Sequence, residues 1–175
     1  MYSRFNSAKS NFPDSKCFSK INKVLYIGTG EDVEGLEELV KKYQYVVGID
    51  NDVCNNPEHF HNQYGNKLER KNKLNIKEMD ARKLDFSNES FDGVIFKRSL
   101  AFIGGYNKIK NEGEIRKALN ETNRVLCRDG LIWIIYSEAD VKELTINRIN
   151  ILLKSTGFET MEDKEYFRVC RKLIK

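Results

Sequence analysis

Gly28-Thr29-Gly30-Glu31-Asp32 follows an apolar run, Val24-Leu25-Tyr26-Ile27, and leads into a segment of helical period. Glycines at 28 and 30 let the backbone turn tightly and let a ligand approach with no Cβ in the way. Asp50 closes the next apolar run, where an acid can accept from both hydroxyls of a ribose. Taken singly, the glycine pair serves equally well as a plain turn, and Asp50 as a strand-end turn residue. The strand before, the helix after and the acid beyond them together point to a nucleoside-bearing ligand.

Dinucleotides and S-adenosylmethionine both suit this layout, and charge separates them. A dinucleotide rests its pyrophosphate on a helix N-terminus. Here Glu31 and Asp32 occupy that turn, and Val33 stands where GxGxxG would place its third glycine. Two carboxylates repel a pyrophosphate, whereas a sulfonium ligand has no phosphate to repel. On the acceptor side the candidates are Lys97, Arg98, Tyr106, Ser137 and Glu138. Glu138 serves either as a base or as a helix cap, and Arg98 either binds an acidic substrate or pairs with a surface acid. His59 and His61, two residues apart on an expected helix, point to different faces, so no metal site is expected.

These residues need a scaffold that brings them to one edge. Val24–Ile27, Tyr45–Ile49, Gly93–Phe96 and Leu131–Tyr136 are apolar at almost every position, as strands buried on both faces must be. Asn75–Asp80 reads as a weaker strand. Val33, Leu36, Val40 and Tyr43 fall at helical spacing, and so do Ile115, Ala118, Leu119, Thr122, Val125 and Leu126, with Gly130 as the expected stop. Val141–Ser155 reads as a third helix ending before Gly157, and Asn56-Pro57 opens a fourth. Phe158–Asp163 and Tyr166–Leu173 suit an antiparallel hairpin. The expected fold is a doubly wound, mostly parallel, seven-stranded Rossmann-like α/β sheet in three layers, with a C-terminal antiparallel hairpin strand. Its ligands sit at the carboxyl ends of the strands. Residues 22–175 form the expected domain, and residues 1–21, with Tyr2, Phe5, Phe12 and Phe18, form a lid or a docking helix.

Composition narrows the function classes. The 175 residues carry 30 Lys+Arg and 26 Asp+Glu, a formal charge of +4, with bases and acids interleaved as on a solvated surface. The richest basic stretch, Lys67–Lys77, has no aromatic residue for base stacking, so nucleic acid is not the expected partner. No run approaches a membrane span, and the N-terminus has no apolar signal-peptide core. Cys17, Cys54, Cys127 and Cys170 form no CxxC pair, which fits a reducing cytoplasm.

KVLYIGTGED, VVGIDND, KEMDARKLDFSNESFDGVIF and LNETNRVLCRDGLIWII resemble, in order and spacing, the motifs of small, single-domain class I S-adenosylmethionine-dependent methyltransferases (methyltransferase-11-like). The tail LLKSTGFETMEDKEYFRVCRK resembles their closing helix and hairpin. The resemblance implies S-adenosylmethionine as cofactor and S-adenosylhomocysteine as product. It implies that Gly28, Thr29 and Gly30, with Tyr26 beside them, cradle the methionine part, and that Asp50 and Asn51 bind the ribose. It further implies that Asp80 and Ala81 meet the adenine, that Phe91-Asp92 is structural, and that Lys97, Arg98 and Ser99 lie where methyl group and acceptor meet. Two positions depart from the family: Tyr26 replaces an acid, and Asp32 replaces the third motif glycine. FKRSLAFIGG after the fourth strand lacks the NPPY-like tetrapeptide of members that methylate adenine or glutamine amides. Methyl transfer to a small molecule is the expected activity, with a protein partner as a further possibility. The alternatives are a non-catalytic cofactor-binding or partner subunit, which Tyr26 and Asp32 motivate, and a nicotinamide-dependent oxidoreductase.

Overall fold

A computed structural model describes residues 21–30, 32–51, 73–103, 112–136, 146–164 and 167–173. In chain order the elements are β1 (Lys23–Ile27), α1 (Val33–Lys42), β2 (Tyr45–Asp50), β3 (Leu74–Glu78), β4 (Phe91–Lys97), α2 (Leu100–Ile103), α3 (Glu112–Val125), β5 (Leu126–Ile135), α4 (Ile146–Ser155), β6 (Phe158–Lys164) and β7 (Phe167–Lys172). The seven strands form one sheet in the order β3-β2-β1-β4-β5-β7-β6. The first five pair in parallel, and β7 enters antiparallel between β5 and β6. This is the mostly parallel Rossmann-like sheet with a closing hairpin that the sequence pattern predicts. None of the described helices is long and apolar enough to cross a membrane.

Alternation along each strand divides the apolar runs between two cores. Leu25, Ile27, Val47, Ile49, Val94, Phe96, Ile132 and Ile134 face α3 and α4, against Ile115, Leu119, Ile149 and Leu152. Val24, Tyr26, Val46, Ile95 and Trp133 face the other way, against Leu36, Leu39 and Val40 of α1. A strand buried on both sides has no polar position to show, hence the unbroken apolar runs. Gly93 makes room for the indole: a Cβ there would lie 2.5 Å from the Trp133 ring.

Gly130 does not stop a helix, contrary to the expectation. β5 begins directly after α3, and its pairing with β4 jumps from Phe91↔Leu126 to Gly93↔Leu131, so Cys127–Gly130 bulge out of the strand. Asp129, at φ +57°, takes the left-handed turn of that bulge, and Gly130 packs against Leu126. The expected helix at Asn56-Pro57, the N-terminal segment up to residue 20 and the first residues of the Val141–Ser155 helix lie outside the described residues.

The register fixes the functional edge. Ile27 pairs with Ile49 and with Phe96, Asp50 with Glu78, and Lys97 with Ile135. The carboxyl ends of five strands are therefore level.

Candidate functional site

At that edge a cavity of about 930 Å³ opens along the ends of β1, β2, β3 and β4. Its floor is the turn after β1. Gly28 and Gly30 have φ of +78° and +44°, the left-handed region that L side chains avoid. Gly28 also passes close to the end of β4, so a Cβ there would sit 2.5 Å from Ser99 Cβ. The Gly28 N–H donates to the Ile49 carbonyl at 2.9 Å, and the Gly30 N–H donates to Asp50 Oδ2 at 2.9 Å. Asp50 thus holds the turn with one oxygen and stands at the cavity wall beside Asn51. Around Gly30 no atom lies within 4 Å of an added Cβ. Gly30→Ala should therefore cost only about 1 kcal/mol, all of it backbone strain, read as a small fall in thermal midpoint.

Asp32 caps α1, its Oδ1 accepting from the Gly35 N–H at 3.3 Å. Its Oδ2 accepts from the Tyr26 hydroxyl and from Lys97 Nζ. Tyr26 is fully buried. Burial, reinforced by the neighbouring Asp32 carboxylate, pushes its hydroxyl far above the usual tyrosine range, so it stays a donor. The two residues that depart from the family pattern are thus in direct contact, which spacing in the chain does not reveal.

Asp80 and Ala81 line the cavity beyond β3, with Ile49 and Met79 as apolar neighbours. Arg82 grips Asp80 through Nε at 2.9 Å and Nη2 at 2.6 Å, and its Nη1 donates to Glu114 at 2.8 Å. The guanidinium bonds hold the Asp80 carboxyl below the usual range, so it is ionised. Arg82 was not among the expected site residues. Its only sequence signal was an arginine two positions after the acid.

Lys97, Arg98 and Ser99 reach the same cavity from the end of β4. Arg98 has φ +55°, a strained conformation for a side-chain-bearing residue, and Ser99 Oγ donates to the Ile27 carbonyl at 3.2 Å. Asp92 is structural, accepting from the Asn22 and Lys23 N–H groups at 3.0 and 2.9 Å. Tyr106, Ser137, Glu138, Glu31, His59 and His61 lie outside the described residues. A second hollow, about 380 Å³, lies among Glu89, Asn123, Arg124 and Lys172, away from the glycine turn.

A family model described as a methyltransferase domain matches residues 25–134, more than half of the chain. The chain belongs to that family. This methyltransferase domain has the fold of S-adenosylmethionine-dependent enzymes. A S-adenosylmethionine-dependent methyltransferase from Methanosarcina mazei is similar at 19% identity, with 89% of this chain and 94% of that one covered and a TM-score of 0.66. An amino pentose methyltransferase of calicheamicin biosynthesis from Micromonospora echinaspora, with S-adenosylmethionine bound, is similar at 12% identity, 89% and 85% coverage and a TM-score of 0.70. A Haloferax volcanii methyltransferase in complex with the Trm112 activator is similar at 16% identity, 86% and 69% coverage and a TM-score of 0.62. No curated protein matches the chain at the level of sequence.

The residues of this methyltransferase fit the cofactor of its family. Gly28 and Gly30 form a turn that brings backbone, not side chains, to the cavity floor. Thr29 in the same turn keeps a buried hydroxyl with no hydrogen-bond partner among the described residues. Its Oγ1 is closed off from the cavity, so the fit rests on the glycine backbone and on Asp50 and Asp80 at the cavity wall.

Proposed function

We propose that the chain transfers the methyl group of S-adenosylmethionine to a small-molecule acceptor and releases S-adenosylhomocysteine. The observation that carries this reading is the convergence of the Gly28–Gly30 turn, Asp50 and Asp80 on one cavity. In this reading Gly28, Thr29 and Gly30 hold the amino-acid part, Asp50 and Asn51 the ribose, and Asp80 and Ala81 the adenine. Arg82 keeps Asp80 ionised and oriented before any ligand arrives.

When bound, S-adenosylmethionine supplies a methyl carbon made electrophilic by its sulfonium. The protein's part is to align an acceptor with that carbon and to exclude water, so positioning carries most of the catalysis. Arg98 lines the cavity at the end of β4 and suits an acceptor with an anionic group. Tyr106 and Glu138 are the candidates for a base, should the acceptor be a hydroxyl of high pKa. The cavity opens at the sheet edge among α2 and the ends of the strands, as a small molecule needs. The activator seated on the Haloferax neighbour makes a protein partner the natural addition to an acceptor screen.

Calorimetric titration with S-adenosylmethionine, S-adenosylhomocysteine and NAD tests this reading. Binding of the first two and not the third is expected. Binding of NAD alone would revert the assignment to an oxidoreductase. Tight binding with no turnover on any acceptor would support the second reading, a cofactor-binding subunit, which Tyr26 and Asp32 motivate.

A further inference from the structure

The cofactor reading leaves the exchange at positions 26 and 32 to be explained. Asp32 and Lys97 form an ion pair inside the cavity, with side chains 25% and 17% exposed. Tyr26 holds the carboxylate from the buried side, and the α1 cap holds it from the helix side. The pair carries one negative and one positive end and no net charge. An amino acid's α-ammonium and α-carboxylate carry the complementary pattern over a similar span.

We propose that the Asp32–Lys97 pair is the recognition element for the amino-acid end of the cofactor, opening so that Asp32 accepts from the α-ammonium while Lys97 donates to the α-carboxylate. This rests on S-adenosylmethionine being the ligand. One internal ion pair and one zwitterion become two intermolecular pairs, so no charge is left buried without a partner, the condition that decides whether such an exchange is favourable. Asp32 keeps its Tyr26 bond throughout, because a carboxylate has about four lone-pair sites and the tyrosine fills one. An acid at position 26 would crowd a second negative charge against Asp32. Tyrosine instead supports the single carboxylate that remains. The other ion pair at the cavity, Asp80–Arg82, is more exposed, at 40% and 38%, and is tied to Glu114. A pyrophosphate fits neither corner, since it would meet Asp32 with like charge at one and Asp80 at the other.

Titration calorimetry on the full chain with three ligands tests the pair. They are S-adenosylhomocysteine, 5′-methylthioadenosine (no amino-acid head) and decarboxylated S-adenosylmethionine (ammonium without carboxylate). Asp32→Asn and Lys97→Met should each lower affinity for S-adenosylhomocysteine roughly tenfold or more, the scale of one charge-assisted hydrogen bond. Neither should change the affinity for methylthioadenosine, and asparagine preserves the α1 cap. The decarboxylated ligand should lose affinity with Asp32→Asn and gain it with Lys97→Met, which removes a cation that opening the pair would leave without its partner. A parallel loss of methylthioadenosine would make the pair a structural clip and overturn the proposal. So would unchanged S-adenosylhomocysteine binding, or tighter binding of that ligand in Lys97→Met, which would make the lysine a competitor only. If the unaltered protein binds neither S-adenosylhomocysteine nor methylthioadenosine, the cofactor reading itself fails. If it binds both with equal affinity, only the amino-acid subsite fails.

Discussion

Asp50→Ala should lower the affinity for S-adenosylhomocysteine roughly 100-fold, about 2.7 kcal/mol, while the protein stays folded. Two hydroxyls of a ribose would each lose an ionised acceptor, and hydrogen bonds to charged groups contribute about 1.5–3 kcal/mol each. The alanine also releases the Gly30 N–H, whose bond to Asp50 Oδ2 at 2.9 Å ties the glycine turn to the end of β2. Asp50→Asn separates the two effects. It keeps an oxygen for Gly30 but offers the ribose a neutral acceptor, so a loss of about tenfold is expected. Calorimetry gives the affinities, and a thermal melt near that of the unaltered protein shows that the sheet is intact. Normal binding by both variants would mean that the ligand lies elsewhere.

The sheet was legible because its central strands are buried on both faces. Val24–Ile27 and Leu131–Ile134 cannot carry a charge without burying it, so burial writes itself directly into composition. The turn after β1 was legible for a local reason, since positive φ favours glycine at 28 and 30. Contacts set by the approach of distant elements left no such mark. Nothing in the spacing shows that the Tyr26 hydroxyl reaches Asp32, or that Lys97, 65 positions from Asp32, ends β4 opposite it. Arg82 and Glu114, 32 positions apart, meet only because the first turn of α3 comes beside the loop that follows β3. Gly130 misled for the opposite reason. A glycine after a helical stripe is the ordinary stop signal, yet here it closes a bulge whose left-handed residue is Asp129. The same limit applies to the one buried cation of the closing hairpin.

Arg168 sits on β7 directly opposite Asp163 of β6 and Ile134 of β5, and its side chain is 0% exposed. Its Nε and Nη2 donate to the two oxygens of Asp163 at 3.1 and 2.6 Å, and Nη1 donates to Asn150 of α4 at 2.6 Å. The arginine thus fastens the hairpin to the helix that covers it. Its partner is unlike it, for the Asp163 side chain is 39% exposed. Removing one or the other is therefore not equivalent. Asp163→Ala leaves a buried guanidinium with Asn150 as its remaining hydrogen-bond partner among the described residues, and should cost about 3 kcal/mol, the low end for a broken buried pair. In a chain of this length that lowers the melting midpoint by roughly 6–12 °C. Arg168→Met leaves only a carboxylate that water can reach, and methionine refills much of the space, so a cost of about 1 kcal/mol is expected. Thermal denaturation followed by circular dichroism ranks the two. The larger loss must fall on Asp163→Ala, because the expensive state is the charge that cannot turn to solvent. The reverse order would mean that the arginine acts through its packing and not through its charge.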